Sequence, residues 1–275
     1  MSRKDWTDDK LIFRLMNNRS DKTYWDNMDV LRRRPSKELF SKCEELIKSS
    51  KPKNKIIGID ILAQLGGSSR PFLKKTLQLY FDLLKTETDP KVLHSLLSAI
   101  GHNNDKLTKL QIEILCSFSD NPNQLVKDGL VFSLLGIESP KAIETLIKLS
   151  TDKSNDVRNW ATFGIGSSID SDNENIREAL LKRTNDKHGE TRHEAIIGLA
   201  MRGDSRVVEI IKQELIGGEF GYLLFAAILE TKDKEFLPLL QQNLRAVEGD
   251  TSINPEWIRD LKKCIDELTK LTNET

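Results

Sequence analysis

The feature that most constrains the fold is an internal repeat with a period of about 34 residues. Five segments share one arrangement of apolar and small residues. Aligning them gives the equivalent anchors Ile57, Val92, Val126, Val157 and Thr191, which lie 35, 34, 31 and 34 residues apart. A sixth, weaker copy places Tyr222 at the anchor position. Such a period is typical of proteins in which one small structural unit stacks on the next.

Each copy predicts an amphipathic helix, because apolar or small residues recur four residues apart, as in Val157, Ala161 and Ile165. A second set of helical segments alternates with the copies, at 35–49, 70–85, 106–118, 140–150, 173–184, 205–215 and 234–245. Four glycines are expected to end helices in the left-handed conformation: Gly66, Gly101, Gly136 and Gly203. No stretch alternates apolar and polar residues for a useful length, so no sheet is predicted.

Two helices in each period, repeated six or seven times, predict an all-α protein that forms a right-handed α-solenoid. The predicted organisation is an N-terminal helical cap at 1–35, a repeat array at 36–250 and a C-terminal capping helix at 251–275. Both ends depart from the repeat pattern, as the terminal units of a solenoid do. The 275 residues are therefore expected to form one stack of helix pairs, not two globular cores.

A short motif joins the helices of successive repeats. An Asp in the joint precedes an apolar residue and a cation at the start of the next helix, as in Asp152 before Val157-Arg158 and Asp186 before Thr191-Arg192. This pattern resembles bacterial HEAT repeats of the short, phycobilin-lyase-like type, over about residues 22–217, in a subgroup with no known activity. The resemblance implies HEAT-like helix pairs whose second helices line a concave surface. We expect the Asp to cap the joint and the cation to bridge to a neighbouring joint.

Charge and composition restrict the partners and the compartment. The chain has 42 Lys+Arg and 42 Asp+Glu, a balance that predicts no nucleic-acid partner for the chain as a whole. Its first ten residues, MSRKDWTDDK, lack the apolar segment of a secretion signal, and no apolar run reaches the ~20 residues of a membrane span. Cys43, Cys116 and Cys264 form no CxxC pair. These features predict a cytoplasmic protein with free thiols and no membrane association.

The sequence contains no recognisable catalytic or metal-binding motif. Its histidines are His94, His102, His188 and His193, and none belongs to an HExxH motif. HEAT-repeat enzymes resembling deoxyhypusine hydroxylase bind iron through several His-Glu pairs, whereas this chain has only His193-Glu194. Neither a phosphate-binding loop nor a GxSxG nucleophile motif occurs. We therefore predict no catalytic residue, no metal and no cofactor.

A candidate binding surface lies on two neighbouring second helices. An aromatic residue flanked by Arg and Asn is the usual composition of a binding hot spot. The candidate residues are Arg158, Asn159, Trp160, Thr162 and Phe163, followed one repeat later by Arg192, His193 and Glu194. In the alternative interpretation, Trp160 fills the core between repeats. The sequence leaves both interpretations open.

These patterns favour a non-enzymatic, monomeric scaffold or adaptor that binds a protein or peptide partner on the concave face. The alternative is a HEAT-type enzyme or enzyme helper, either like a DNA-alkylation-repair glycosylase or like a bilin lyase. A glycosylase-like groove could be lined by Trp160 and Asp156. Basic residues could make it positive, although they alternate with acidic ones: Arg177, Lys182, Arg183, Lys187, Arg192 and Arg202.

Overall fold

The computed structural model describes residues 2–217, 220–247 and 249–271. Over these ranges the chain consists of helices, short turns and loops, with no strand. The chain forms two compact units, Met1–Ala142 and Ile143–Thr275. The predicted all-α class is confirmed.

The first unit is built from helix pairs preceded by two N-terminal helices. The second members of the pairs, α4, α6 and α8, pack on one another in order, and each also packs against the helix before it. The two N-terminal helices pack on α4. The helices are α1 Asp8–Met16, α2 Asp21–Arg32, α3 Lys37–Ile47, α4 Pro52–Ala63, α5 Leu73–Leu84, α6 Pro90–Gly101, α7 Lys109–Cys116 and α8 Gln124–Leu134. The boundary between the units falls within α9, Pro140–Leu149.

The second unit repeats the same arrangement. Its second helices α10, α12 and α14 pack in order, α11 and α13 each pack against the second helices on either side, and α16 packs on α14 and α15. The helices are α10 Asn155–Gly166, α11 Glu174–Arg183, α12 Gly189–Met201, α13 Val207–Gly217, α14 Tyr222–Thr231, α15 Leu237–Ala246 and α16 Pro255–Leu271. This stacking of pairs confirms the predicted α-solenoid of HEAT-like helix pairs.

Local capping explains where these helices begin. The side chain of Ser154 accepts a hydrogen bond from the amide of Val157 at the start of α10, and Asn173 does the same for Ile176 in α11. Proline occupies the first position of α4 and of α6, where its missing N–H costs nothing. The repeat anchors from Ile57 to Thr191 are all fully buried, as their alignment predicts.

Three of the four predicted glycine stops are confirmed. Gly66, Gly136 and Gly203 have φ angles of 85°, 75° and 60°. The left-handed conformation predicted for Gly101 is wrong, because this last residue of α6 does not have a positive φ. An added Cβ there would come within 2.6 Å of the Phe132 ring on α8, so Gly101 permits a close approach of two helices.

The sixth repeat anchor is also corrected by the structure. Tyr222, the predicted anchor, is 71% exposed, whereas Leu224 is fully buried. Leu224 lies three residues after the N-cap of α14. Val157 and Thr191 lie three residues after the N-caps of α10 and α12, so Leu224 is the equivalent position. The glycine-rich joint before α14 obscured this register in the sequence.

Candidate functional site

Arg158, the first residue of the predicted set, forms hydrogen bonds with the joint between α11 and α12. Arg158 of α10 donates two hydrogen bonds to the Asp186 carboxylate, from Nε to Oδ2 at 2.9 Å and from Nη2 to Oδ1 at 2.8 Å. Its Nη1 donates to the carbonyl of Asp152 in its own joint, at 3.0 Å. The predicted bridge between successive joints is thus present. With 13% of its side chain exposed, Arg158 connects repeats and offers little to a partner.

Asp186 also organises its own joint. Its carboxylate accepts hydrogen bonds from the guanidinium of Arg183 at 3.0 Å and from the amide of His188 at 3.0 Å. The hydrogen bonds from Arg158 are the main cause of a low pKa of about 2 for this carboxyl, and Arg183 adds to it. Asp186 is therefore ionised over the physiological range.

The same pattern recurs one repeat later with a different acceptor. Arg192 donates to the carbonyl of Asp186 at 3.1 Å and from Nε to Glu214 Oε1 at 3.3 Å. His193 Nε2 lies 3.0 Å from Glu214 Oε2, and His193 is buried. Both side chains are thus directed at Glu214 on α13. Arg192 and His193 thus stabilise the packing of α12 on α13.

Thr162 is the other predicted site residue that lies in the interior. It is fully buried, and its hydroxyl donates to the carbonyl of Arg158 one turn earlier, at 2.7 Å. This local bond satisfies the hydroxyl within the helix. Thr162 therefore belongs to the packing of α10.

Trp160 lies at the surface. Its side chain is 48% exposed, and its ring meets that of Phe163 edge-on, with centroids 5.7 Å apart and an interplanar angle of 90°. Phe163 is half-buried. A residue that filled the core between repeats would be enclosed, so the structure contradicts that interpretation of Trp160.

Polar groups lie beside this aromatic pair. The Asn159 side-chain amide donates to Glu190 Oε2 at 3.3 Å, which joins α10 to α12. Glu190 was not among the predicted site residues, although Glu190 lies four residues before Glu194 and is therefore on the same helix face. Three buried atoms here have no hydrogen-bond partner among the described residues: Asn159 Oδ1, Ser167 Oγ and Glu194 Oε2.

Glu194 has an unusual environment for a carboxyl group. Its pKa is raised to about 7, mainly by burial and also by the nearby Glu190 carboxylate, while the Ser167 hydroxyl partly offsets both effects. The hydroxyl nevertheless lacks the geometry of a hydrogen bond. No cation contributes to this balance. Glu194 is thus half-buried and uncompensated at neutral pH.

Two glycines bring the two helices close enough for these contacts. An added Cβ on Gly198 of α12 would lie 2.6 Å from the Cα of Gly166 on α10. The solvent-facing residues of both helices therefore form one continuous surface. We call it the Trp160 surface, and it consists of Asp156, Asn159, Trp160, Phe163, Glu190, Glu194, Ile197 and Met201.

The basic residues considered for a positive groove are largely engaged within the unit. Arg202 donates to several main-chain carbonyls, among them those of Gly166 at 2.6 Å and Gly198 at 2.9 Å. Arg177 pairs with Asp172. Arg183 and Arg192 pair with carboxylates as described above, which leaves Lys182 and Lys187 as the exposed members of that set. The arginines of this set mainly connect parts of the unit to one another.

A second polar network lies in the first unit and was not predicted from the sequence. Asp60 of α4 accepts hydrogen bonds from the Tyr24 hydroxyl at 2.7 Å and from the Ser95 hydroxyl at 2.8 Å. Arg32 donates to the main-chain carbonyl of Asp60 through Nε at 2.9 Å and Nη2 at 2.7 Å. This network attaches α2 and α6 to α4, and both oxygens of the Asp60 carboxylate have hydrogen-bond partners.

The described residues contain no candidate metal site and no candidate membrane-spanning helix. No cluster of three or more His, Cys, Asp or Glu side chains there is arranged to hold a metal ion. No helix in the described part of the chain has the length and apolar character needed to cross a bilayer. The three cysteines are buried, and no disulfide bond joins any two of them.

The chain is similar in sequence to curated bacterial proteins. The chain is 33% identical over 138 residues to protein YibA of Escherichia coli strain K12, and equally to that of Escherichia coli O157:H7. This match covers 50% of the chain, and the chain spans about half the length of the curated relatives it matches, 49%. No family model matches the chain.

Solved structures extend the likeness along the chain. The X-ray structure of Escherichia coli YibA matches with a TM-score of 0.73 and 24% identity, covering 98% of this chain and 94% of that one, which shows a shared fold. Human deoxyhypusine hydroxylase in complex with glycerol matches with 15% identity over 97% of this chain and 96% of that one. Its TM-score is 0.35, a likeness too weak to carry any inference about function.

Proposed function

We propose that this protein is a non-enzymatic scaffold or adaptor that holds a protein or peptide partner against the Trp160 surface. The half-exposed ring of Trp160 carries the proposal. A tryptophan exposed to this extent and set among polar side chains is the residue type that dominates binding energy at protein interfaces. Its neighbours supply an apolar contact, Phe163, and polar groups, Asn159 and Glu190.

The residues of the predicted site have different structural roles, and this supports the proposal. Arg158 links α10 to the joint before α12, Thr162 bonds within α10, and Arg192 and His193 bond to Glu214 on α13. Such fixed helices present Trp160 and its neighbours on a rigid support, which lowers the entropic cost of binding. Side chains that hold the surface and side chains that contact the partner are therefore different residues.

We further propose that the chain is a monomer of the bacterial cytoplasm, belonging to the short HEAT-repeat proteins. Three buried cysteines without a disulfide bond are compatible with a reducing compartment. Burial raises the pKa of the Cys264 thiol to about 12 and also raises that of Cys43, so both are unreactive at neutral pH. Similarity to YibA supports the bacterial assignment.

The test is a photo-crosslinking experiment in the cell that naturally makes the chain. A benzophenone amino acid replaces Trp160 in one variant and Phe13 in a control, since Phe13 is a 62% exposed aromatic residue on α1, far along the sequence. We expect an adduct specific to position 160. The captured protein is then purified, and its affinity is measured for wild type and for Trp160→Ala.

The expected loss of affinity for Trp160→Ala is at least ~30-fold, the effect of removing a hot-spot tryptophan, without a change in melting temperature. Arg192 is left intact, because its replacement would disturb the packing on α13. Identical adducts at positions 160 and 13, or an affinity that is insensitive to Trp160→Ala, would refute the proposal.

A further inference from the structure

The charges on the second helices of the second unit are distributed unevenly. Among the described residues, α10, α12 and α14 carry three exposed carboxylates, Asp156, Glu190 and Glu230, and the half-buried carboxyl of Glu194. The only cations on these helices are Arg158 and Arg192, and each is paired with a carboxylate elsewhere, Asp186 or Glu214. A chain with zero net charge thus carries a local acidic surface.

Several other carboxylates of this unit have a cation beside them. Glu178 pairs with Arg206, Asp204 with the same arginine, and Glu235 with Lys212. No ion pair among the described residues includes Glu190 or Glu194. These two carboxylates therefore lie without a paired cation on the surface that carries Trp160.

The same surface is apolar between the acidic groups. Trp160, Phe163, Ile197 and Met201 lie on α10 and α12, and the 71% exposed ring of Tyr222 begins α14. Exposed aromatic rings attract cations through their faces, tryptophan most strongly. The combination suits a side chain with a long apolar stem and a positive end, which describes lysine and arginine.

We propose that the partner of the Trp160 surface is a basic peptide segment, whose lysine or arginine side chains contact Trp160 and are neutralised by Glu190 and Glu194. This inference rests on the proposed function, and it specifies the partner's chemistry. Charge complementarity supports it, since an acidic surface attracts cationic segments and repels anionic ones.

The condition of Glu194 agrees with this assignment. Its Oε2 is buried without a hydrogen-bond partner, and unsatisfied buried groups are uncommon in native proteins. An ammonium or guanidinium group brought beside Glu190 and Glu194 supplies the positive charge that both lack. It also lowers the pKa of the Glu194 carboxyl toward the ordinary range, which favours the ionised, binding form at neutral pH.

Exposed lysines define the limits of the acidic surface. Lys153 and Lys187 lie in the joints that precede α10 and α12, and Lys232 follows α14. These cations lie at the helix ends, so a basic segment is expected to run across the middle of the helices, over Trp160 and Glu194. The partner's positive charges are then separated from those of the chain.

The probe is a phage-displayed library of random 16-residue peptides, selected on immobilised full-length protein. Parallel selections use wild type and Trp160→Ala. We expect wild type to enrich peptides with an excess of lysine and arginine, and Trp160→Ala to fail to enrich them. A selected peptide is then synthesised together with a version that carries Gln in place of each Lys and Arg, and both are titrated calorimetrically.

The carboxylates are tested with Glu190→Gln/Glu194→Gln. The matched control is Glu209→Gln/Glu256→Gln, which changes the net charge equally at two exposed carboxylates outside the Trp160 surface. We expect at least a 10-fold loss of affinity for the basic peptide with the first variant and a change below 2-fold with the control. Circular dichroism melting verifies that all variants fold.

The outcomes separate this inference from the function on which it rests. Trp160-dependent peptides without an excess of lysine and arginine would overturn the basic partner and leave the binding surface in place. The same would follow if both double variants lost affinity equally. If wild type enriched no peptides beyond those of Trp160→Ala, both the basic partner and the proposed function would be overturned.

Discussion

The guanidinium of Arg158 and the carboxylate of Asp186 form a two-bond pair across 28 residues of sequence, with both donor–acceptor distances below 3 Å. Arg158 lies near the start of α10, and Asp186 lies in the joint that leads into α12. The pair therefore fixes the register of two successive second helices. Since Trp160 and Glu190 follow Arg158 and Asp186 on those helices, the pair also positions the Trp160 surface.

Removal of this pair should destabilise the second unit. Only 13% of the Arg158 side chain and 4% of the Asp186 side chain are exposed, and loss of the arginine leaves a buried carboxylate. We expect Arg158→Ala to lower the free energy of unfolding by about 2–3 kcal/mol. Arg33→Ala, which breaks an exposed pair with Asp29, should cost less than about 0.5 kcal/mol. Equal effects in urea titrations would contradict this role for Arg158.

The pair also makes stability depend on acid pH. The pKa of Asp186 is about 2 in the folded protein, below its ordinary value of 3.8, so its ionised form stabilises the fold above pH 4. This contribution declines as pH falls through about 2. Compared with Asp186→Asn, wild type should be more stable by about 1–2 kcal/mol at pH 6 and by roughly half of that at pH 3. A difference that grows on acidification would contradict the pairing.

Glu194 should affect stability in the opposite direction. Burial raises its pKa from 4.5 to about 7, so the folded protein retains a proton that the unfolded chain releases. The stability of wild type therefore falls as pH rises from about 5 to about 8. We expect Glu194→Gln to be more stabilising at pH 8 than at pH 5, by about 1–2 kcal/mol. Thermal melts of Glu209→Gln, which replaces an exposed carboxyl, provide the control.

The approach of α10 to α12 depends on Gly198. A methyl group there would lie 2.6 Å from the Cα of Gly166, a main-chain atom that cannot move without separating the helices. Gly198→Ala should cost about 2–3 kcal/mol through overpacking. Gly189→Ala, at the start of the same helix, meets nothing closer than 3.9 Å and should be neutral or slightly stabilising. Comparable losses for both variants, measured by urea unfolding, would contradict this view of the interface.

The sequence predicted the stacking of helices and part of their connections. Spacing alone identified the repeat, and the Asp of one joint with the Arg of the preceding second helix correctly predicted the link between Arg158 and Asp186. Periodicity also selected the face of α10 that carries Trp160. Thr162 was grouped with Trp160 because the two are close in sequence, but residues two positions apart on a helix lie about 160° apart and therefore on nearly opposite faces.

Contacts between repeats account for what the sequence analysis missed. His193 turns toward Glu214, 21 residues later on α13, and no motif marks that pairing. Glu190 became a candidate only through its contact with Asn159 on the preceding repeat. Tyr24 and Asp60 are 36 residues apart on differently patterned helices, so their hydrogen bond was visible only in the folded chain.

The most direct test of the central claim follows Trp160 itself during binding. Protein labelled with 5-fluorotryptophan contains four fluorine probes, at Trp6, Trp25, Trp160 and Trp257. It is titrated with a basic peptide selected on wild type and observed by fluorine NMR, with the Trp160 signal assigned from Trp160→Phe. We expect the Trp160 signal to shift and saturate while the other three remain in place. A Trp160 signal that stays fixed at saturating peptide would show that the partner binds elsewhere.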